Sequence, residues 1–156
     1  MSPRAAWRLE TLGFTQVYDY TAGKADWGAA GLLREGRVAG ERSAGEAADP
    51  DVPTCAIDDD LAAVRERVRA TGWDQCIVIN EERIVLGRVG RSAIAADDER
   101  AIEDAMSSGP STVRPNLPLS ELEQRLERQK LTTALVTTNG GRLVGVVLRR
   151  GASRPK

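Results

Sequence analysis

The sequence predicts an α/β fold in which one β-α-β-β-α unit occurs twice. Sliding the chain on itself by 58 positions aligns Thr54 with Thr112, Leu61 with Leu119, Arg67 with Arg125, Val78 with Val136, Gly87 with Gly145, Val89 with Val147 and Arg91 with Arg149. A fixed period of that length is the mark of a duplicated supersecondary unit. Two apolar stretches, Val85-Leu86-Gly87-Arg88-Val89-Gly90-Arg91-Ser92 and Leu143-Val144-Gly145-Val146-Val147-Leu148-Arg149-Arg150, share one plan: a strand broken by one Gly and closed by Arg. Between such strands lie segments with helical apolar spacing.

Composition narrows the function. With 41% hydrophobic residues but six aromatics among 156 residues, the core must be aliphatic. Lys+Arg 22 against Asp+Glu 23 gives a net charge of −1, so no global field draws the chain to nucleic acid or to an acidic membrane. Any anion site must be local. Histidine is absent and the only cysteines are Cys55 and Cys76, which excludes Cys/His zinc frameworks and Ser-His-Asp machinery. No apolar run approaches the ~20 residues of a membrane span, and the N-terminus has no signal-like core. A soluble cytoplasmic protein with reduced thiols is expected.

Taken in order, Ser2-Pro3 opens a helix whose Ala5, Leu9 and Leu12 share a face, and Gly13 stops it. Phe14 to Tyr20 alternates as a strand. Residues 23–31 fit a short helical turn anchored by Trp27 and loosened by three glycines. Ser2-Pro3-Arg4-Ala5-Ala6, Leu12-Gly13-Phe14, Val17-Tyr18-Asp19-Tyr20 and Gly23-Lys24-Ala25-Asp26-Trp27 with Ala30-Gly31-Leu32 resemble the last third of a rhodanese-like domain. In that family the persulfide cysteine precedes the Arg-Ala-Ala helix. Here the chain begins at Met1 without that loop, so the resemblance implies a packing relic and no sulfurtransferase activity. Residues 37 to 51, small, charged and Gly-containing, read as a partly disordered linker.

The first repeat then runs through a strand at Val52 to Ala56 and a helix at Asp60 to Ala70, with Leu61, Val64 and Val68 on one stripe and Gly72 ending it. The Asp58-Asp59-Asp60 triplet suits the helix N-terminus, with a Mg²⁺ site as the other reading. Cys76 to Ile79 and Ile84 to Val89 form a hairpin across Asn80-Glu81-Glu82-Arg83, and a helix over Arg100 to Met106 stops at Ser107-Ser108-Gly109-Pro110. In the second repeat the strand is Thr112 to Arg114, and the helix is Leu119 to Lys130 with Leu119, Leu122 and Leu126 inward. Ala134 to Thr137 pairs with Leu143 to Leu148 around Asn139-Gly140, a strong hairpin signal. Cys55, Cys76 and Trp73 read as core residues.

This repeat plan, with Ser111-Thr112-Val113-Arg114-Pro115-Asn116-Leu117-Pro118-Leu119 opening a unit and Leu143-Val144-Gly145-Val146-Val147 closing it, resembles a pair of cystathionine-β-synthase (CBS) domains, a Bateman module, over residues 52 to 151. The resemblance implies two repeats packed sheet to sheet about a pseudo-twofold, a non-enzymatic regulatory role, dimers of pairs, and clefts that hold adenosine compounds. In such domains the closing strand runs Gly-apolar-apolar-Thr/Ser-x-x-Asp, and the carboxylate takes the ribose hydroxyls. Here Gly90 and Ala93, then Leu148 and Gly151, stand at the hydroxyl and carboxylate positions. Losing one such charge-assisted contact costs ~1.5–3 kcal/mol.

The expected ligand site therefore leans on phosphate charge. It comprises Thr54, Cys55, Ala56, Gly87, Gly90, Arg91 and Ser92 from one repeat and Thr112, Val113, Arg114, Arg149 and Arg150 from the other, with Arg88 on the same rim and AMP, ADP or ATP as the ligand. The competing role of these arginines is a solvated edge bridged to Asp58-Asp59-Asp60, and the competing function is a structural or dimerisation module without a ligand. The expected division is 1–36 appendage, 37–51 linker, 52–106 and 107–151 repeats, and 152–156 tail. A homodimer is expected through the Leu61/Ala62/Val64 and Leu122/Leu126 stripes, with residues 1–36 docked on a repeat surface.

Overall fold

The computed structural model describes residues 2–21, 23–29, 32, 35, 36 and 40–150. Its elements are α1 (Ser2–Thr11), α2 (Gly23–Ala29), α3 (Ala44–Ala47), β1 (Thr54–Cys55), α4 (Leu61–Thr71), β2 (Cys76–Ile79), β3 (Val85–Val89), α5 (Arg91–Ala95), α6 (Ile102–Ala105), β4 (Ser107–Ser108), β5 (Thr112–Val113), α7 (Leu119–Arg128), β6 (Thr133–Thr137) and β7 (Leu143–Leu148). The chain is mixed α/β with two small sheets, ordered β1-β2-β3-β4 and β5-β6-β7.

Local chemistry sets the boundaries. Asp60 caps α4 by accepting a hydrogen bond from the Ala63 amide at 3.0 Å, and Gly72, at φ 70°, turns the chain out of the helix. Leu61, Val64 and Val68 of α4 are buried, as are Leu122 and Leu126 of α7. The stripes expected to mediate dimerisation are thus consumed inside the monomer.

The duplication extends to the register of the sheets. Thr54 faces Ile77, which faces Arg88, which faces Ser107. In the second sheet Thr112 faces Leu135, which faces Val146, and Val146 bridges Asp49. Every member of one row lies 58 residues from its counterpart, but the last ones have changed sides: Asp49 precedes the first repeat yet closes the second sheet, while Ser107 closes the first. The leading segment of each unit therefore crosses to the other. The hairpin tips meet symmetrically, the Val85 amide donating to the Gly141 carbonyl at 3.0 Å and the Leu143 amide to the Arg83 carbonyl at 2.9 Å.

These crossings replace several expectations. Within the expected linker, Asp49 bridges Val146 of β7 and Ser43 bridges Pro118. Ser43 and Glu46 form a capping box on α3, the Ala44 amide donates to Leu117 O at 2.8 Å, and Asp49 and Val146 exchange amide bonds at 2.9 and 3.0 Å. Their partners lie far along the chain, which leaves no local signature. Residues 37–39 and the 152–156 tail lie outside the described residues. The helix expected over Arg100 to Met106 contracts to Ile102–Ala105 because Ala101 is extended without a side-chain cap and Ser107–Ser108 joins β3 as a strand. A short helix, Arg91–Ala95, follows Gly90 where only a connection was expected. Phe14 to Tyr20 is not a strand, since alternation supplies no partner for its amides.

Two apolar clusters hold the molecule. The larger combines Val64, Val68, Trp73, Ile77 and Ile102 with Leu135, Leu143 and Val146, so it spans both sheets. The smaller packs Leu122 and Leu126 of α7 on Ala134, Val136 and Val147 and is completed by Ala44 from the crossing segment.

Candidate functional site

Because facing residues share one side of a sheet, Ile77 and Arg88 on one sheet look toward Leu135 and Val146 on the other. A cleft of about 300 Å³ opens beside them. Its floor is apolar, from Ile77, Leu131, Leu135 and Val146, and its polar lining is Gln75, Arg88, Ser107, Ser111, Thr132 and Thr133. Arg88 is exposed and has no hydrogen bond or ion pair among the described residues. Gln75 is only 5% exposed, yet its amide has no partner among them. An apolar floor with a few convergent polar groups, one cationic, is the ordinary make-up of a small-molecule site. The hydroxyls and the amide can meet a base or sugar edge, and the guanidinium can fork onto a phosphate or carboxylate.

The residues expected from the sequence are only partly drawn together. Thr54 and Thr112 lie on the rows that contain Arg88 and Val146, and the Arg149 amide donates to Thr132 O at 2.9 Å, so these three neighbour lining residues without lining the cleft themselves. Cys55 and Val113 belong to the core, with Ala56 half-buried after β1. Gly87 sits under Met106. Gly90 is the N-cap of α5, Arg91 binds Asp74 at 2.9 Å, and Ser92 is exposed on that helix. Arg114 donates to the Thr138 carbonyl, and Arg150 approaches Glu123 at 3.7 Å. Of the aspartate triplet, Asp60 caps α4 and Asp59 pairs with Arg67 at 3.0 Å, so neither bridges the rim arginines. Sequence reading missed Gln75, Ser107, Ser111, Thr132 and Thr133. Their signal was present in the 58-residue register, which puts Gln75 and Thr133 at equivalent positions flanking the axis.

The two repeats are not equivalent here. Where the second has Leu131 and Thr132 on the cleft, the first has Trp73, buried in the core, and Asp74, engaged by Arg91. Cys55 and Cys76, free and buried, share a hydrogen bond that pushes the Cys76 thiol up, with burial adding to the effect. The same hydrogen bond lowers the Cys55 thiol, with burial opposing it. Nearby, Arg65 is buried and donates to the Ala93 carbonyl, the Asp98 carbonyl and the Asp98 carboxylate, and this last bond holds the Asp98 carboxyl below its usual range.

Residues 102–152 match the family model of the CBS domain. They form a CBS domain. The match starts at α6, the segment that crosses to the other repeat. About 70% of the chain has the fold of solved CBS-pair structures. The cytosolic domain of the Mg²⁺ channel MgtE in complex with ATP superposes with a TM-score of 0.61 at 21% identity, covering 71% of this chain and 48% of that one. The CBS domain pair of protein MJ0100, in complex with 5'-methylthioadenosine and S-adenosyl-L-methionine, gives 0.61 at 14% identity over 70% and 91%. CBSX2 in complex with AMP gives 0.59 at 17% over 69% and 90%. This chain thus spans about half of the MgtE domain and most of the other two. No curated protein sequence matches it. Among the described residues no helix is long and apolar enough to cross a membrane.

Proposed function

We propose that the chain is a non-enzymatic regulatory CBS-pair module that senses a phosphorylated, adenosine-type ligand in the cleft between its repeats. The carrying observation is the pairing, over one apolar floor, of the Arg88 guanidinium with the amide of Gln75, neither with a partner among the described residues. That three structural neighbours were solved with ATP, AMP or S-adenosylmethionine supports the same class of ligand. Arg88 holds the phosphates, Thr54, Thr112 and Arg149 form the outer rim, and Trp73 fills the counterpart site, so one ligand binds per chain. The module works in the cytoplasm as a homodimer, with neither nucleic acid nor membrane as a partner. Residues 2–36, which contain no cysteine, are a rhodanese-like remnant that supplies contact and no chemistry.

Titration calorimetry with AMP, ADP and ATP tests this. Binding is expected at one site per chain, tightening from AMP to ATP and weakening with salt. Arg88→Met, at an exposed unpaired position, is expected to lower affinity about 10- to 100-fold without changing the melting temperature. Absence of heat with all three at millimolar concentration would favour the second reading, a structural module without a ligand. One observation supports that reading: the family's hydroxyl and carboxylate positions are held by Gly90, Ala93, Leu148 and Gly151.

A further inference from the structure

Apolar surface is distributed very unevenly. Of the six aromatic side chains only Trp73 is in the core; the other five lie between residues 7 and 27, and Trp7, Phe14 and Tyr18 are 62, 60 and 87% exposed. Leu12 is exposed beside them. Since an aromatic side chain carries ~150–250 Å², these five leave on the order of 600 Å² of aromatic surface uncovered. That summed area stands at the upper end of the ~300–600 Å² of a typical monomer's largest apolar patch, and it approaches the ~800 Å² that each partner contributes to a stable protein interface.

The arm is also organised. Gly13, at φ 94°, ends α1 with its amide on Glu10 O, and the Phe14 amide returns to Leu9 O at 3.2 Å. Tyr20 packs edge-on against Trp27 with ring centroids 5.3 Å apart and donates its hydroxyl to Asp26 at 2.5 Å. Asp19 Oδ1 is buried without a hydrogen-bond partner among the described residues, a costly state for a carboxylate oxygen. Three basic residues, Arg4, Arg8 and Lys24, balance three acidic ones, Glu10, Asp19 and Asp26.

We infer that this arm, residues 2–32, is a homodimerisation element that docks on the same arm of a second copy. An isologous contact must be complementary to itself, and a neutral arm with both signs of charge meets its copy without like-charge repulsion, whereas nothing in it selects a strongly charged partner. The inference rests on the homodimer proposed above and names its contact, and it replaces the α4 and α7 stripes, which the core has already taken.

Sedimentation velocity of the full chain, compared with the double variant Trp7→Arg, Tyr18→Asp, is the test. Both positions are exposed, so an unchanged circular dichroism melt is expected. The wild type should run as a two-chain species at micromolar concentration and the variant as a single chain, a twofold loss of mass. A monomeric wild type would overturn the dimer and the arm contact together. A dimeric variant would overturn the arm contact while keeping the dimer. Labelled variant mixed with excess wild type should stay monomeric; if it is captured, the arm docks on the partner's body and the arm-to-arm contact is wrong.

Discussion

A methyl group added at Gly145 would meet the Asp49 carbonyl oxygen at 2.5 Å and the Ala48 Cβ at 3.1 Å. At Gly87 the same methyl would meet the flexible end of Met106 and, less closely at 3.1 Å, the Ser107 carbonyl oxygen. The glycine that interrupts each closing strand is thus the seat of the segment crossing from the other repeat, which is why only hydrogen fits. Gly145→Ala should destabilise by about 1–3 kcal/mol in urea melts and Gly87→Ala by less, because a thioether swings aside and a hydrogen-bonded backbone does not. Gly90→Ala, with nothing within 4 Å and φ −91°, should be nearly silent. Asp98 permits a pH test. Its carboxyl is lowered by Arg65, so the pairing contributes stability above the ordinary aspartate range near ~4 and loses it as pH falls through the lowered value. Wild type and Asp98→Asn should therefore differ in melting temperature at neutral pH and converge in acid; a gap that persists at low pH would argue against the ion pair.

Among the elements, hairpins read most directly. The bounds of β2 and β7 are those expected, because continuous apolar runs between turn residues encode a buried strand within a few positions. The α4 and α7 stripes were equally legible. Elements defined by a remote partner were not: α3 is four residues long and holds its place through Leu117, Pro115 and Val146, contacts about 70 to 100 residues away that composition cannot express. The opposite error arose at Phe14 to Tyr20, where the pattern of a strand exists without a neighbour. The cleft was legible as a region through the repeat, and Arg88 was seen on its rim, but which arginines stay free depended on Asp74, Thr138 and Glu123. The short α3 yields a prediction of its own. Ser43→Ala removes the side chain that accepts from the Glu46 amide and donates to its carboxylate, and should cost about 1 kcal/mol. Hydrogen exchange should then quicken at the amides of Ala44, Asp49 and Val146 more than in β2; uniform acceleration would mean that the segment opens only with the whole fold.

For the molecule as a whole, the crossings make each repeat incomplete without the other. Ile102, at the start of the matched CBS domain, is fully buried in the cluster centred on the first sheet, and Ala44 plays that part in the second. Residues 102–152 expressed alone should lack a cooperative thermal transition, and the intact chain should unfold in one step. An isolated second repeat with dispersed amide signals and its own sharp melt would show that the crossing is decoration.

The exchanged segments also bear on ancestry and abundance. A single unit of this design would find its missing edge only on another molecule, so its integrity would rise and fall with protein concentration. Joining two units in one chain replaces that encounter with an intramolecular one at an effective concentration on the order of millimolar. The duplicated protein can therefore be kept scarce in the cell and still present an intact cleft.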